Sequence, residues 1–287
     1  MSKRQRTAAR VVLRPDVEAA QPYMLELRRH FHRHPELSFA ESATAARVAA
    51  ELVALGLTPT TGIAPGHGIT ATIEGGVPGG PCVALRSDMD ALPIQEEGSL
   101  PCKSENAGVM HACGHDAHMA ILLGAAKCLV ALRERMCGSV KLIFQPAEEN
   151  ATPECPYGGA YEMVHKSSPP VLEGVSSIYG LHVWSYNHVG TIGVKAGGVM
   201  ASCDTFEINV VGKGGHGAEP RGTVDAVVVA AHLVGAIQTI VARSHDPKTN
   251  AVITVGQVRD KETKRQREHA GRAVGFVGVR SSAARGA

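Results

Sequence analysis

The chain has 287 residues and a net charge of +2; 44% of its residues are hydrophobic, 20% charged and 4% aromatic. That length can fill one large core or two ordinary ones. The balanced charge and scarce aromatics exclude a broad basic field for nucleic acid or anionic lipid and a base-stacking surface.

Further along the same lines, no uninterrupted apolar run is expected to span a membrane. The seven cysteines are scattered without a CxxC pair, which fits reduced thiols and a cytoplasmic setting.

The start, MSKRQRTAARVVLR, is basic and lacks acids, so residues 1–15 read as a flexible tail, with an organelle-targeting segment as the alternative. Spaced apolar positions predict a helix over 16–33, stopping before Pro35. The histidines at its end, His30, His32 and His34, read as a solvated face. Ser38 and Glu41 have capping-box spacing ahead of a second helix, which runs to Leu55 and ends at Gly56. Strands follow at Ile69–Ile73 and Val83–Leu85, a long apolar helix at 114–133, and strands at Val140–Phe144 and Ile178–His182. Helices alternating with short apolar strands predict an α/β domain over 16–194, with a mostly parallel sheet and helices on both faces.

Lys195-Ala196-Gly197-Gly198 reads as a hinge. Beyond it, the alternating strand Thr205–Val211, a helix over Asp225–Arg243 and a strand over Ala251–Val258 predict a smaller α+β domain, 195–258. From Arg259 a dense charge run, RDKETKRQREHA, predicts a poorly ordered tail over 259–287, although Ala273–Val279 could pair as a strand.

The chemistry gathers where strands end. Val83–Leu85 leads to Asp88 and Asp90, Leu142–Phe144 to Glu148 and Glu149, and Ile178–Leu181 to His182. In open α/β sheets ligands bind beyond the carboxyl ends of the strands. The stretch HACGHDAH (111–118) opens the long helix and can reach the same rim. Cys113, His115, Glu149 and His182, with Asp88, Asp90, Glu148 and His118 nearby, form a candidate ligand set. Thiolate, imidazole and carboxylate together suit zinc, manganese or cobalt better than calcium or magnesium. Neighbouring acids point in different directions, so one can hold a cation while the other moves a proton, a division that suits amide hydrolysis. A thiol hydrolase using Cys113 is a rival reading that leaves the paired acids without work.

The stretches LRRHFHRHPELSFAE (27–41), LRSDMDALPIQEE (85–97), MHACGHDAHMA (110–120), FQPAEE (144–149), GLHVW (180–184) and GKGGHGAEP (212–220) resemble the M20 metallopeptidase family, in its amidohydrolase branch. The branch includes hippurate hydrolases, N-acyl-amino-acid amidohydrolases and auxin-conjugate hydrolases. The resemblance implies a two-domain hydrolase with one or two divalent ions (manganese, zinc or cobalt). Its ligands would be Cys113, His115, Glu149 and His182, with Glu148 as general base for a metal-activated water. Asp90 would orient a ligand, and His216 in the smaller lid domain would stabilise the oxyanion. It also implies a small N-acyl amino acid or dipeptide-like substrate and a homodimer formed through the lid, with no nucleic-acid or membrane partner. The resemblance covers about residues 20–258. Past Val258 the family's lid-closing and final ligand-bearing segments have no counterpart, which predicts a truncated or frameshifted end, an incomplete lid and, as the alternative, a catalytically impaired paralogue. The stretch Asn150–Tyr157 also departs from the family's glycine-rich sequence after PAEE.

Overall fold

The computed structural model describes residues 14–63, 66–197, 199, 202–246, 251–258 and 274–283. The chain divides into two compact units after Gly190.

The first unit is built on a five-stranded sheet ordered β1-β2-β4-β3-β5, from β1 (Thr60–Ile63), β2 (Gly68–Glu74), β3 (Val77–Asp88), β4 (Cys137–Gln145) and β5 (Val175–Gly180). β3 pairs in parallel with both β4 and β5, while β2 joins β4, and β1 joins β2, antiparallel. The sheet is therefore mixed. The expected parallel ladder holds for β4-β3-β5, and the β1-β2 edge runs against it.

Helix α3 (His115–Leu132) carries the chain from β3 to β4, and α4 (Gly158–His165) lies between β4 and β5. Side chains alternate across the sheet. Leu142 and Phe144 of β4 pack with Leu27 and Phe31 of α1 (Pro15–Arg33), Val48 and Leu52 of α2 (Ser42–Ala54) and Met119 and Leu123 of α3. Ile143 instead packs with Ala84, Met163 of α4 and Val171. The crossovers after β3 and β4 thus leave toward opposite faces. Their carboxyl ends part there, forming the crevice in which α/β sheets bind ligands.

Three local expectations fail. The capping box is not made: α2 starts at Ser42, and the carboxylate of Glu36 accepts the amides of Ala43 and Thr44 at 3.1 and 2.7 Å. Ser38 and Glu41 are diverted to other partners described below. His32 is not on a solvated face. It is 3% exposed, its Nδ1 lies 2.8 Å from Asp116 and its Nε2 3.3 Å from Glu96. Its hydrogen bond to Asp116, against the cost of burial, raises its pKa. Asp116 also takes the guanidinium of Arg28 at 2.9 Å, so α1 is tied to the start of α3. Finally, α3 and α5 (Ala226–Arg243) are each apolar and long enough to cross a membrane by length and composition. For α3 the cause is its place in the core, under the sheet. The strand β1 and helix α4, four and eight residues long, are elements that periodicity did not resolve.

In the second unit, β6 (Ser202–Val211), β8 (Val274–Ala283) and β7 (Ile253–Gln257) form an antiparallel sheet ordered β6-β8-β7. α5 is capped by Asp225, whose carboxylate accepts the amides of Val227 and Val228 at 2.9 and 3.3 Å. It packs Ile237 against Ile208, Ile253 and Val255. Val227, Val228 and Ile240 of α5 are exposed. The middle strand β8 falls inside the stretch expected to be a tail; residues 259–273 and 284–287 lie outside the described residues.

Candidate metal centre

Four chain segments meet at the carboxyl ends of the parallel strands. β3 ends at Asp88 and is followed by Asp90; β4 ends at Gln145 and is followed by Pro146-Ala147-Glu148-Glu149. β5 ends at Gly180, two residues before His182, and α3 begins at His115. Gly114 precedes α3 with φ +89°, a left-handed conformation natural to glycine, and a Cβ there would run into Val183. This turn sets Cys113 beside His115 although residues two apart do not share a helix face.

The sequence-predicted ligands come together. Cys113 Sγ lies 3.4 Å from His182 Nε2. His115 Nε2 lies 3.7 Å from Glu149 Oε1, 3.9 Å from Glu148 Oε2 and 3.6 Å from Asp88 Oδ2. Cys113, His115 and His182 form one group able to share an ion, and His115, Glu148 and Glu149 another. The two glutamates are not equivalent: the side chain of Glu148 is 40% exposed and that of Glu149 19%.

Neighbouring groups orient these donors. His182 turns Nδ1 to the carbonyl of Val183 at 2.6 Å, which leaves Nε2 directed at Cys113. His118 bridges Asp88 Oδ1 at 2.7 Å and the amide of Val183 at 2.9 Å. Since Nε2 of His118 accepts that N–H, Nδ1 is its donor, and both nitrogens are used. His118, a nearby candidate in the sequence, therefore fastens the His182 loop rather than offering a free lone pair. Arg86 holds Asp88 Oδ2 at 2.7 Å and Gln145 at 2.9 Å. Asp90 Oδ1 approaches His115 Nδ1 at 3.2 Å, and its Oδ2 accepts the amide of Glu149 at 2.9 Å and the hydroxyl of Ser38 at 2.6 Å.

The electrostatics favour positive charge at the centre. Burial opposes a charged His115, but Asp90, Cys113 and Asp88 outweigh it and push its pKa up to about 11. Asp88 is held well below the usual carboxylate range: burial resists, and His118, His115 and Arg86 prevail. Burial raises the Glu148 carboxyl, with His115 acting against it. The nearby His115 lowers the Cys113 thiol, yet burial and Glu149 carry it above the ordinary value.

These residues fit a divalent cation. His115 Nε2 and Glu149 Oε1 are buried atoms without a hydrogen-bond partner. Such orphans are costly unless something fills their valence. Donors bound to zinc at about 2.0–2.3 Å sit roughly 3.3–3.8 Å from one another, and the spacings given above lie close to that range. His216 is in the second unit, on an exposed turn, where its Nδ1 accepts the amide of Ala218 at 3.2 Å.

Sequence reasoning left out Glu41, Arg86 and the His32–Asp116 pair, because their partners are fixed only by the folded chain. Glu41 is fully buried, and its Oε1 accepts the amide of Ala147 at 2.7 Å. Burial pushes its carboxyl up to about 7, against the pull of that amide.

An α/β domain that gathers a thiol, imidazoles and paired carboxylates at the parting of two crossovers has the make-up of a metallohydrolase. The sequence pattern of Peptidase family M20/M25/M40 matches residues 84–265, and the chain belongs to that family. The Bacillus subtilis protein YhaA is 47% identical over 233 residues, covering 81% of this chain and 56% of its own length. The N-acyl-L-amino acid amidohydrolase of Geobacillus stearothermophilus is 43% identical over 245 residues, covering 84% and 62%. The chain thus spans little more than half the length of these relatives. Among solved structures, YXEP of Bacillus subtilis, described as a dinuclear metal binding peptidase of the M20 family, aligns with a TM-score of 0.69 at 33% identity, covering 93% of this chain and 66% of its own.

Proposed function

We propose that this chain carries the catalytic core of a metal-dependent amidohydrolase that cleaves N-acyl or N-aminoacyl amino acids. The observation that supports it is a pair of donor groups that share His115: Cys113, His115 and His182 in one, and His115, Glu148 and Glu149 in the other, with Glu148 the more exposed of the two acids. Cys113, His115, Glu149 and His182 would hold one or two ions of manganese, zinc or cobalt. A bound cation supplies Lewis acidity, polarising the acyl carbonyl and easing loss of a proton from water.

Glu148 removes that proton and hands it to the amine nitrogen as the C–N bond breaks. Asp90 acts through others: it steadies His115 and, through the amide, Glu149. His216, supplied by the lid of a second copy, is our candidate for the donor that meets the developing oxyanion, a role worth about 3–4 kcal/mol where it has been measured. The substrate class is supported by the relatives' names.

The test is hydrolysis of N-acetyl and N-benzoyl amino acids by the purified chain with manganese, cobalt or zinc, before and after a chelator. Metal-dependent release of the amino acid, abolished by the chelator and restored by metal, is the expected result. Turnover that survives chelation but not iodoacetamide would favour a Cys113 thiol hydrolase, for which the 3.4 Å Cys113–His182 approach is the specific argument. No turnover with any metal would favour the impaired paralogue.

A further inference from the structure

Among the described residues, the only non-glycine residues with positive φ are Phe39, at +64°, and Ala147, at +48°. They belong to two segments joined by hydrogen bonds: the turn between α1 and α2, and the loop after β4 that carries Glu148 and Glu149. Left-handed backbone is unfavourable for a residue with a Cβ and persists only where its surroundings impose it. At Ala147 the surroundings are specific. Its N–H donates to Glu41 Oε1 at 2.7 Å, and its carbonyl accepts the amide of Gly159 at 2.9 Å. Two further ties join the segments: Ser38 donates to Asp90, which also accepts the amide of Glu149, and Asn150 Nδ2 donates to Ser38 Oγ at 3.3 Å.

Ala147 immediately precedes Glu148. Its φ therefore sets the direction in which the chain delivers both acids. Returned to the right-handed or extended region, Ala147 would re-aim Glu148 and Glu149 even if every donor around His115 stayed in place. The carboxylate that holds Ala147 comes from a residue 106 positions away and is itself fully buried, with its second oxygen unpartnered. A buried acid placed there needs a reason, and its Oε1 accepts the amide of Ala147 at 2.7 Å.

We infer that Glu41 is a positioning residue for the catalytic base: by accepting the Ala147 amide it fixes the left-handed turn that directs Glu148 toward the open side and Glu149 toward His115. The inference rests on the reading of Glu148 as base.

The experiment compares Glu41→Gln, Glu41→Leu and Glu148→Gln in the metal-loaded chain. Glutamine keeps a carbonyl oxygen for the Ala147 amide, so Glu41→Gln should stay within about 3-fold of the parent in kcat. Leucine offers no acceptor, and Glu41→Leu should lose about 10²-fold in kcat with KM and metal content changed less than about 3-fold. Adding Ala147→Gly, which adopts positive φ freely, should restore part of that loss. Should Glu41→Leu not fold, Glu41→Asp, whose shorter side chain withdraws the acceptor, takes its place with the same expected split. A Glu41→Leu or Glu41→Asp chain with parental kcat, beside an inactive Glu148→Gln, would overturn the positioning role and leave the base intact. Equal losses in Glu41→Gln and Glu41→Leu would overturn it too, since the acceptor would then be irrelevant. A Glu148→Gln chain that still turns over would overturn the base assignment, and this inference with it.

Discussion

Glu148→Gln is expected to lower kcat for N-acyl amino acids by roughly 10²–10⁴-fold while leaving bound metal nearly unchanged. Glutamine has the size of glutamate and cannot take the proton. Cys113, His115, Glu149 and His182, the assigned ligands, are untouched. The geometry behind the split is the difference between adjacent acids. Glu149 Oε1 is buried and unpartnered 3.7 Å from His115 Nε2, whereas the Glu148 side chain is 40% exposed. Metal content by atomic emission and steady-state kinetics on the same preparation decide the matter. If the variant keeps its activity, the proton acceptor is another group. If it loses metal instead, the two acids have exchanged roles.

Gly114→Ala is expected to weaken metal affinity by about 10–100-fold, the usual cost of disturbing the groups that orient ligands. Two effects act together. A Cβ at φ +89° is strained by about 1–2 kcal/mol, and this one would also press on Val183. Val183 gives its amide to His118 and its carbonyl to His182 Nδ1, so displacing it turns His182 away from Cys113. Competition for zinc with a chromogenic chelator measures the effect. Unchanged affinity in a folded variant would show that His182 tolerates the displacement or is no ligand.

The candidate centre was legible because its residues announce themselves at short range. HACGHDAH concentrates donors ahead of an apolar helix, and the acids and His182 each follow a β-rich apolar run, so strand ends alone suffice to place them on one rim. The long helices were legible from their periodicity for the same local reason. What stayed hidden depends on distant partners. Ser38-x-x-Glu41 has the spacing of a helix cap, yet folding spends both side chains on Asp90 and Ala147, and Glu36 takes the capping role. His32 looks like one of three alternating surface histidines; it is buried with its ring N–H donating to Asp116, 84 positions on. The antiparallel β1-β2 edge was equally unreadable, since strand direction is decided by the chain path and not by the apolar pattern.

One cation held by sulfur, nitrogen and oxygen from Cys113, His115, Glu149 and His182 underlies the proposed chemistry. X-ray absorption at the zinc edge, on the zinc-loaded chain and its Cys113→Ser variant, tests it most directly. The expected result is a sulfur scatterer at about 2.3 Å beside nitrogen and oxygen at about 2.0–2.2 Å, with the sulfur lost in the variant. A shell of nitrogen and oxygen alone in the unaltered chain would contradict it.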